Sequence, residues 1–161
     1  MSEEAAAVIA TATKLGLTVG CAESLTGGLV AAEIVSIPGA SAVFRGSIVA
    51  YDSMLKNDLL GVDASTLAST GAVTAEVASA MAEGALERLG VDVAVATTGV
   101  AGPDPDPVSG EAPGAVFIAV AGGGLGTLVR EMSLEGDRDE IRQRATRAAL
   151  QALLDGLSTR E

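Results

Sequence analysis

The stretch LTVGCAESLTGGLVAAEIV, residues 17–35, indicates an α/β fold. Its first six residues are nearly all apolar or small, which is typical of a buried strand. The turn ESLTGG follows, and its glycines lie where the helical spacing of GLVAAEIVSI begins, at residues 28–37. A buried strand that leads through a tight turn into a helix is the basic unit of proteins in which helices cover a parallel sheet.

Units of the same kind occupy the rest of the chain. Helical patterns cover residues 2–15, 52–62, 74–89 and 136–154, and strand patterns cover residues 43–51, 91–99, 115–124 and 127–134. Asp52 or Ser53 is placed to cap the short helix, and Asp137 and Glu140 have capping-box spacing. The last two strands are adjacent, which argues for an antiparallel pair. We therefore predict one domain over residues 1–161, a three-layer α/β/α sandwich around a mixed, mostly parallel sheet.

The composition excludes several kinds of partner. The 161-residue chain has 21 acidic and 10 basic side chains and a net charge of −11. A field of that sign repels nucleic acid and anionic membranes, so we expect neither as a partner. No segment approaches the roughly 20 apolar residues of a membrane span, and the N-terminal stretch lacks the basic region of a signal peptide. With a single cysteine, these features predict a cytoplasmic protein.

The absence of histidine restricts the chemistry. Ser-His-Asp triads, Cys-His pairs and histidine-bearing zinc sites are impossible within one such chain, and Cys21 alone forms no thiolate cluster. Only metals with oxygen ligands remain open. Any general base has to be a lysine, a carboxylate or a tyrosine.

The turn ESLTGG has two interpretations. The backbone N–H groups of Thr26, Gly27 and Gly28 lie at a helix start, where the helix dipole attracts phosphate or carboxylate. Alternatively the segment is only a tight turn with Thr26 as N-cap, and the spacing alone favours this second interpretation. Glu23 either binds a ribose hydroxyl or is simply solvated.

The segment TTGVAGPDPDP, residues 97–107, ends a predicted strand and enters a proline-rich loop. Ligands of open α/β sheets bind outside the carboxyl ends of strands, so we expect Thr98, Gly99 and Gly102 to share a crevice with ESLTGG. The loop of about fifteen residues that begins at Val100 is either a lid or a mobile surface segment.

GDRDEIRQRATR, residues 136–147, contains four of the eight arginines. Arg138 and Arg142 are four residues apart, so they share a helix face and form a candidate phosphate clamp. The alternative is ordinary pairing along the helix, such as Glu140 with Arg144. The second interpretation is favoured for Arg144 and Arg147, and the two remain equal for Arg138 and Arg142.

GASAVFRGSIVAYDSMLK, residues 39–56, contains the only tyrosine, Tyr51, and one of two lysines, Lys56. A lysine becomes a base when burial favours its neutral form, and the apolar residues around Lys56 favour burial. Tyr51 could then connect Lys56 to Ser41 and relay the proton. The alternative is a loop serine beside an unrelated core tyrosine and a surface lysine, and spacing alone favours it.

Together these segments resemble the C-terminal domain of the CinA family, over about residues 8 to 155. The resemblance rests on AESLTGGLVAAEIVSIPGASAVFRGSIVAYDSMLKNDLLGV, followed in the family's order by GAVTAEVASAMAEGA, AVATTGVAGP and GDRDEIRQRAT. It implies a three-layer α/β/α fold and hydrolysis of the carboxamide of nicotinamide mononucleotide to nicotinate mononucleotide and ammonia. It also implies a homodimer, and no metal or organic cofactor.

The resemblance places the family's catalytic serine, tyrosine and lysine on Ser41, Tyr51 and Lys56. Lys56, assisted by Tyr51, would then deprotonate Ser41, which would attack the amide. The residues expected to bind the substrate are Glu23, Ser24, Thr26, Gly27, Gly28, Thr98, Gly99, Gly102, Arg138 and Arg142. The chain departs from the family pattern at Leu25, Ala40, Glu111 and Ala115, and Glu111 would disfavour an anionic ligand where relatives carry a lysine.

Two other functions remain open. One is a catalytically silent nucleotide-binding module that regulates competence or a response to DNA damage. The other is a serine/lysine amidase with a different amide substrate.

Overall fold

The computed structural model describes residues 2–124 and 126–159, and its elements follow the predicted alternation. The helices are α1 (Glu3–Leu15), α2 (Leu29–Val35), α3 (Ser53–Leu60), α4 (Ala64–Thr70), α5 (Ala75–Leu89) and α6 (Arg138–Ser158). The strands are β1 (Val19–Glu23), β2 (Phe44–Val49), β3 (Val93–Gly99), β4 (Ala115–Gly122) and β5 (Leu128–Ser133). A single 3₁₀ turn, Ala40–Ala42, precedes β2.

The five strands form one mixed sheet in the order β2-β1-β3-β4-β5. β1 pairs in parallel with both β2 and β3, while β4 is antiparallel to β3 and to β5. Four strands therefore run in one direction and only β4 runs against them. This confirms the predicted mixed sheet and the antiparallel pairing of its last two strands.

Helices cover both faces of the sheet, as predicted. α1, α2 and α6 pack on one face, against valine and isoleucine side chains such as Val93, Val95 and Ile118. α3, α4 and α5 cover the other face, where the strands present mainly alanine. The three-layer α/β/α sandwich is confirmed.

Helix ends explain how α3 is placed. Asp52, not Ser53, caps it, because the Asp52 carboxylate accepts a 2.8 Å hydrogen bond from the backbone N–H of Met54. At its other end α3 touches α5 directly, and a Cβ on Gly84 would collide with the carbonyl oxygen of Leu60. The contact between backbones fixes α3 against α5.

Two further helix starts test the sequence patterns. The predicted capping box of Asp137 and Glu140 is present at the start of α6. α4 was not predicted, because its sequence ASTLAST has no apolar periodicity and buries only Leu67. Its N-cap is Asp63, whose carboxylate accepts from the N–H of Thr66. Within the described part of the chain, no helix combines the length and apolar character needed to cross a membrane.

Candidate active site

A cavity of about 220 Å³ opens at the carboxyl ends of β1 and β3. Ser24 follows β1, Thr98 and Gly99 end β3, and Lys56 reaches in from α3. The full lining is Ser24, Leu25, Tyr51, Ser53, Lys56, Ala72, Val73, Thr98, Gly99, Ala101, Asp106 and Arg138. The crevice predicted between ESLTGG and the end of the TTG strand therefore exists.

Lys56 is the buried cation of this cavity, with only 1% of its surface exposed. Its Nζ donates to Ser24 Oγ at 3.0 Å and to the carbonyl oxygens of Ala50 at 2.8 Å and Tyr51 at 3.1 Å. Burial lowers the pKa of Lys56 to about 8, although the negative charges of Asp52 and Asp106 oppose the shift. Lys56 therefore loses its proton near pH 8, well below the range of an ordinary lysine.

Ser24 sits on the turn that joins β1 to α2. Its N–H donates to the carbonyl oxygen of Thr97, and its own carbonyl accepts from Gly27, so both sides of the residue are held by backbone hydrogen bonds. Its hydroxyl lines the cavity and contacts Lys56. Ser24, which the sequence placed only among the binding residues, is thus the serine beside the lysine.

Ser41 does not lie beside Lys56 in this chain. It is exposed on the 3₁₀ turn before β2, whereas Tyr51 and Lys56 come after β2. Six extended residues span about 20 Å at roughly 3.3 Å per residue, so the strand separates Ser41 from the cavity. Ser41 lines a different depression, with Val35 and Phe44. The predicted contact between Ser41 and Lys56 is therefore not formed within this chain.

Tyr51 lies on the rim of the cavity with 61% of its surface exposed. Its hydroxyl accepts a 3.2 Å hydrogen bond from Arg138 Nη2, and its backbone carbonyl accepts from Lys56. The predicted contact between Tyr51 and Lys56 thus runs through the main chain, and no hydroxyl bridge to Ser41 forms. The alternative of a core tyrosine with a surface lysine is also wrong, because the lysine is buried and the tyrosine exposed.

Glu23 fills the helix start that was a candidate anion site. Its side chain is fully buried, and both carboxylate oxygens accept hydrogen bonds. The donors are the backbone N–H groups of Gly28, Val30 and Ala31 and the hydroxyls of Thr26 and Ser47, at 2.8 to 3.1 Å. The chain's own carboxylate therefore occupies the helix start predicted for a substrate phosphate, and both Glu23 oxygens are engaged by donors of the protein itself.

The other residues of this turn are structural as well. Thr26 is fully buried, where its hydroxyl contacts Glu23 and Thr97. The N-cap of α2 is Gly28, not Thr26. None of Glu23, Thr26, Gly27 and Gly28 lines the cavity, so their prediction as substrate-binding residues is not supported by their positions.

The two arginines of the predicted clamp have different contacts. Arg142 donates to the carbonyl oxygens of Leu25 at 2.9 Å and Thr26 at 3.3 Å, so it holds the turn after β1. Arg138 donates to the carbonyl of Gly102 at 2.7 Å and to the Tyr51 hydroxyl, and it lines the cavity. Of the two, only Arg138 is placed to meet a ligand there, and Gly102 holds its guanidinium without lining the cavity.

The loop after β3 is folded by its own hydrogen bonds. Thr98 Oγ1 donates to the carbonyl of Ala72 at 2.7 Å, which ties the end of β3 to the segment before α5. Farther along, the N–H of Asp106 donates to the carbonyl of Glu111 at 2.9 Å. Glu111 and Ala115, the departures from the family pattern, line a separate depression beside β5.

Asp106 is the charged cavity residue that sequence reasoning missed. Its Oδ2 accepts from the N–H and hydroxyl of Ser109, both at 2.7 Å, and from the N–H of Val108 at 3.2 Å. Between two prolines it resembled any loop residue. The available signal was its aspartate-turn spacing to Ser109 at the carboxyl end of a strand.

Comparison with known proteins identifies the family. The model of the CinA C-terminal domain matches residues 2–157. A CinA-like protein of Frankia casuarinae is 46% identical over 147 residues, which cover 89% of this chain and 33% of that protein. A CinA-like protein of Geobacter metallireducens is 50% identical over 131 residues, 79% of this chain and 30% of that one. The chain thus spans about a third of the length of these curated relatives.

Solved structures agree in fold over nearly the whole chain. The competence/damage inducible protein CihA of Agrobacterium tumefaciens has a TM-score of 0.90 at 40% identity, covering 97% of this chain and 94% of that one. A CinA superfamily protein of Klebsiella pneumoniae has a TM-score of 0.92 at 30% identity, covering 98% and 97%. By sequence and by fold, the chain belongs to the family of the CinA C-terminal domain.

Proposed function

We propose that this chain hydrolyses the carboxamide of nicotinamide mononucleotide to nicotinate mononucleotide and ammonia, with Ser24 as the nucleophile and Lys56 as its base. The observation that carries the proposal is the 3.0 Å contact between Lys56 Nζ and Ser24 Oγ at the cavity wall. The resemblance to the nicotinamide-nucleotide amidases of the family supplies the substrate. Ser24 replaces Ser41 in the catalytic set because it is the serine that Lys56 reaches.

The lowered pKa of Lys56 supports its role as a base. A pKa of about 8 leaves about a tenth of the lysine side chains neutral at pH 7, against less than a thousandth for an ordinary lysine. The neutral amine accepts the Ser24 proton while Ser24 Oγ attacks the amide carbon. The resulting ammonium then lies beside the leaving nitrogen and donates the proton with which ammonia departs.

The turn after β1 offers a donor for the oxyanion. Leu25 directly follows Ser24 and lines the cavity, and its backbone N–H donates to no acceptor among the described residues. Backbone N–H groups next to a nucleophile stabilise the negative oxygen of a tetrahedral intermediate. Water then cleaves the nicotinoyl ester of Ser24, again with Lys56 as base, and restores the free hydroxyl.

Tyr51 and Arg138 form the outer wall of the site. Arg138 is the cavity arginine, so in this proposal it receives the substrate phosphate. Tyr51 keeps the guanidinium in place through its hydroxyl and helps fix Lys56 through its carbonyl. Its part is positioning, in place of the proton relay expected from the sequence.

The test measures ammonia release from nicotinamide mononucleotide by wild type, Ser24→Ala and Ser41→Ala. We expect Ser24→Ala to lose activity by about 10³-fold or more, and Ser41→Ala to stay within about twofold of wild type. Ser41→Ala is a matched control because it removes the same hydroxyl outside the cavity. The reverse result would restore Ser41 as nucleophile and require that another subunit supply it to Lys56.

Other outcomes separate the competing functions. Wild type that binds the nucleotide without releasing ammonia would indicate a regulatory nucleotide-binding module. Nicotinamide hydrolysed as fast as the mononucleotide would indicate an amidase for a different amide, since Arg138 would then have no phosphate to receive.

A further inference from the structure

The cavity lining contains three charged residues of unlike roles: Lys56, Arg138 and Asp106. Lys56 is assigned to proton transfer and Arg138 to the substrate phosphate. Asp106 is the only carboxylate among the lining residues, and the chemistry proposed above does not use it. A carboxylate in this position would repel the negatively charged phosphate of the proposed substrate, so its presence has to be explained.

The two carboxylate oxygens of Asp106 differ in their hydrogen bonding. All three of its hydrogen bonds, from Ser109 and Val108, go to Oδ2. Oδ1 accepts no hydrogen bond from any residue that the structure describes. The Oδ2 contacts fix the carboxylate against its own turn, so the orientation of Oδ1 is set before a ligand arrives.

The carboxylate is ionised when the cavity is empty. Burial opposes ionisation, but the hydrogen bonds from Ser109 and Val108 and the charge of Lys56 outweigh it and hold the pKa of Asp106 below its ordinary value. Asp106 in turn raises the pKa of Lys56. The charges of Asp106 and Lys56 therefore interact across the cavity.

The proposed substrate has two charges of opposite sign. Its phosphate is anionic, and its pyridine nitrogen, joined to ribose, gives the ring a positive charge next to the carboxamide. The ring has to enter with its amide at Ser24, close to Lys56, whose protonated form repels a cation. A fixed negative charge in the same cavity offsets that repulsion.

We propose that Asp106 is a specificity determinant that selects carboxamides on a positively charged pyridinium ring over the same amides on an uncharged ring. This inference rests on the proposed function and names the ring charge as the property recognised. The cavity then matches the substrate's charges, with Asp106 toward the ring and Arg138 toward the phosphate. A purely structural role, in which Asp106 only shapes its turn, would give no preference for ring charge.

The test compares two ligands of nearly the same size and shape whose main difference is ring charge: nicotinamide mononucleotide and its reduced dihydropyridine form. Dissociation constants are measured by calorimetry on Ser24→Ala protein, which keeps the cavity without turnover, with and without Asp106→Asn. We expect Asp106→Asn to weaken binding of the oxidised nucleotide about five- to tenfold and to leave the reduced nucleotide within about twofold. Asparagine keeps an acceptor for Ser109, so the turn is preserved.

Two control variants isolate the effect. Glu111→Gln removes the same charge from the same loop outside this cavity, and we expect it to change neither constant by more than about twofold. Ser109→Ala removes one hydrogen bond of the turn without changing charge, so any effect should be equal for both ligands. Equal weakening by Asp106→Asn, or no weakening, would overturn the inference and leave the proposed function standing. If neither nucleotide binds the Ser24→Ala protein, the proposed function itself fails and the inference with it.

Discussion

Glu23 and Lys56 are both buried, but their charges are compensated to very different degrees. The Glu23 carboxylate accepts five hydrogen bonds and closes the start of α2. The Lys56 ammonium has three neutral acceptors, contacts no carboxylate among residues 2–124 and 126–159, and faces a cavity. A charge that the protein solvates completely is structural, whereas one that is left poorly compensated at a cavity is available for chemistry.

The two environments meet at consecutive residues, Glu23 and Ser24, because Ser24 is the side chain that Lys56 contacts. Successive side chains at the end of a strand point to opposite faces of the sheet. Glu23 therefore turns to α2 on one face, and Ser24 turns to α3 and Lys56 on the other. A shift of one residue would exchange the structural anchor and the candidate nucleophile.

The largest effect expected from the comparison of Lys56 with Glu23 is a loss of turnover when Lys56 is replaced. Lys56→Met removes the base but keeps an unbranched apolar chain, so we expect ammonia release to fall by about 10³- to 10⁴-fold. Because the buried ammonium is poorly compensated, the free energy of unfolding should stay the same or rise. Steady-state kinetics and urea denaturation check both statements. Retained turnover would remove Lys56 from the mechanism, and a large loss of stability would make it a structural residue like Glu23.

Glu23→Ala should show the reverse pattern. It leaves the N–H groups of Gly28, Val30 and Ala31 without their acceptor, and we expect a loss of about 3 kcal/mol in the free energy of unfolding. At about 2 to 4 °C per kcal/mol, the Tm should fall by about 6 to 12 °C. The control Glu76→Ala removes an exposed acid from the first turn of α5 and should cost less than about 1 kcal/mol. A Tm for Glu23→Ala equal to that of the control would contradict the anchor role.

The smallest expected effect is the pH dependence of turnover and of stability that the titration of Lys56 causes. The proposed mechanism needs its neutral amine, so kcat/KM should rise about tenfold per pH unit below pH 8 and level off above it. Stability shifts in the same direction, since the unfolded chain binds the proton more tightly than the folded one. The free energy of unfolding should therefore gain a positive slope between about pH 8 and 10.5, and Lys56→Met should lack that slope. A kcat/KM profile that is flat across pH 6 to 9 would exclude Lys56 as the titrating base.

The fold was predictable because burial follows local periodicity. Apolar runs identified the strands, and the spacing of Asp137 and Glu140 identified the start of α6. α4 lacked such a pattern and was missed. The crevice also followed from a general rule, that the carboxyl ends of parallel strands meet at one edge of the sheet.

The proposed catalytic pair was harder to predict because it depends on which strands are neighbours in the sheet. Ser41 is closer to Lys56 along the chain, but an extended strand separates them. Ser24 is 32 residues away, and the parallel register that pairs Glu23 with Val49 brings it to the same edge as Lys56. The same edge rule, applied to the residues after β1 and β2, would have favoured Ser24. The role of Glu23 was not predictable, since a carboxylate after a strand is more often exposed.

The alanine face of the sheet has a consequence for how this protein can evolve. α5 lies on Ala94, Ala96, Ala119 and Ala121, and its Gly84 touches the backbone at the end of α3. Any larger side chain there would push α5 outward and carry α3, with Lys56, away from Ser24. The valine and isoleucine face holds no catalytic group and can exchange side chains of similar volume. The alanine face under the candidate site and Gly84 therefore tolerate little added volume, whereas the valine and isoleucine core tolerates exchanges that conserve volume.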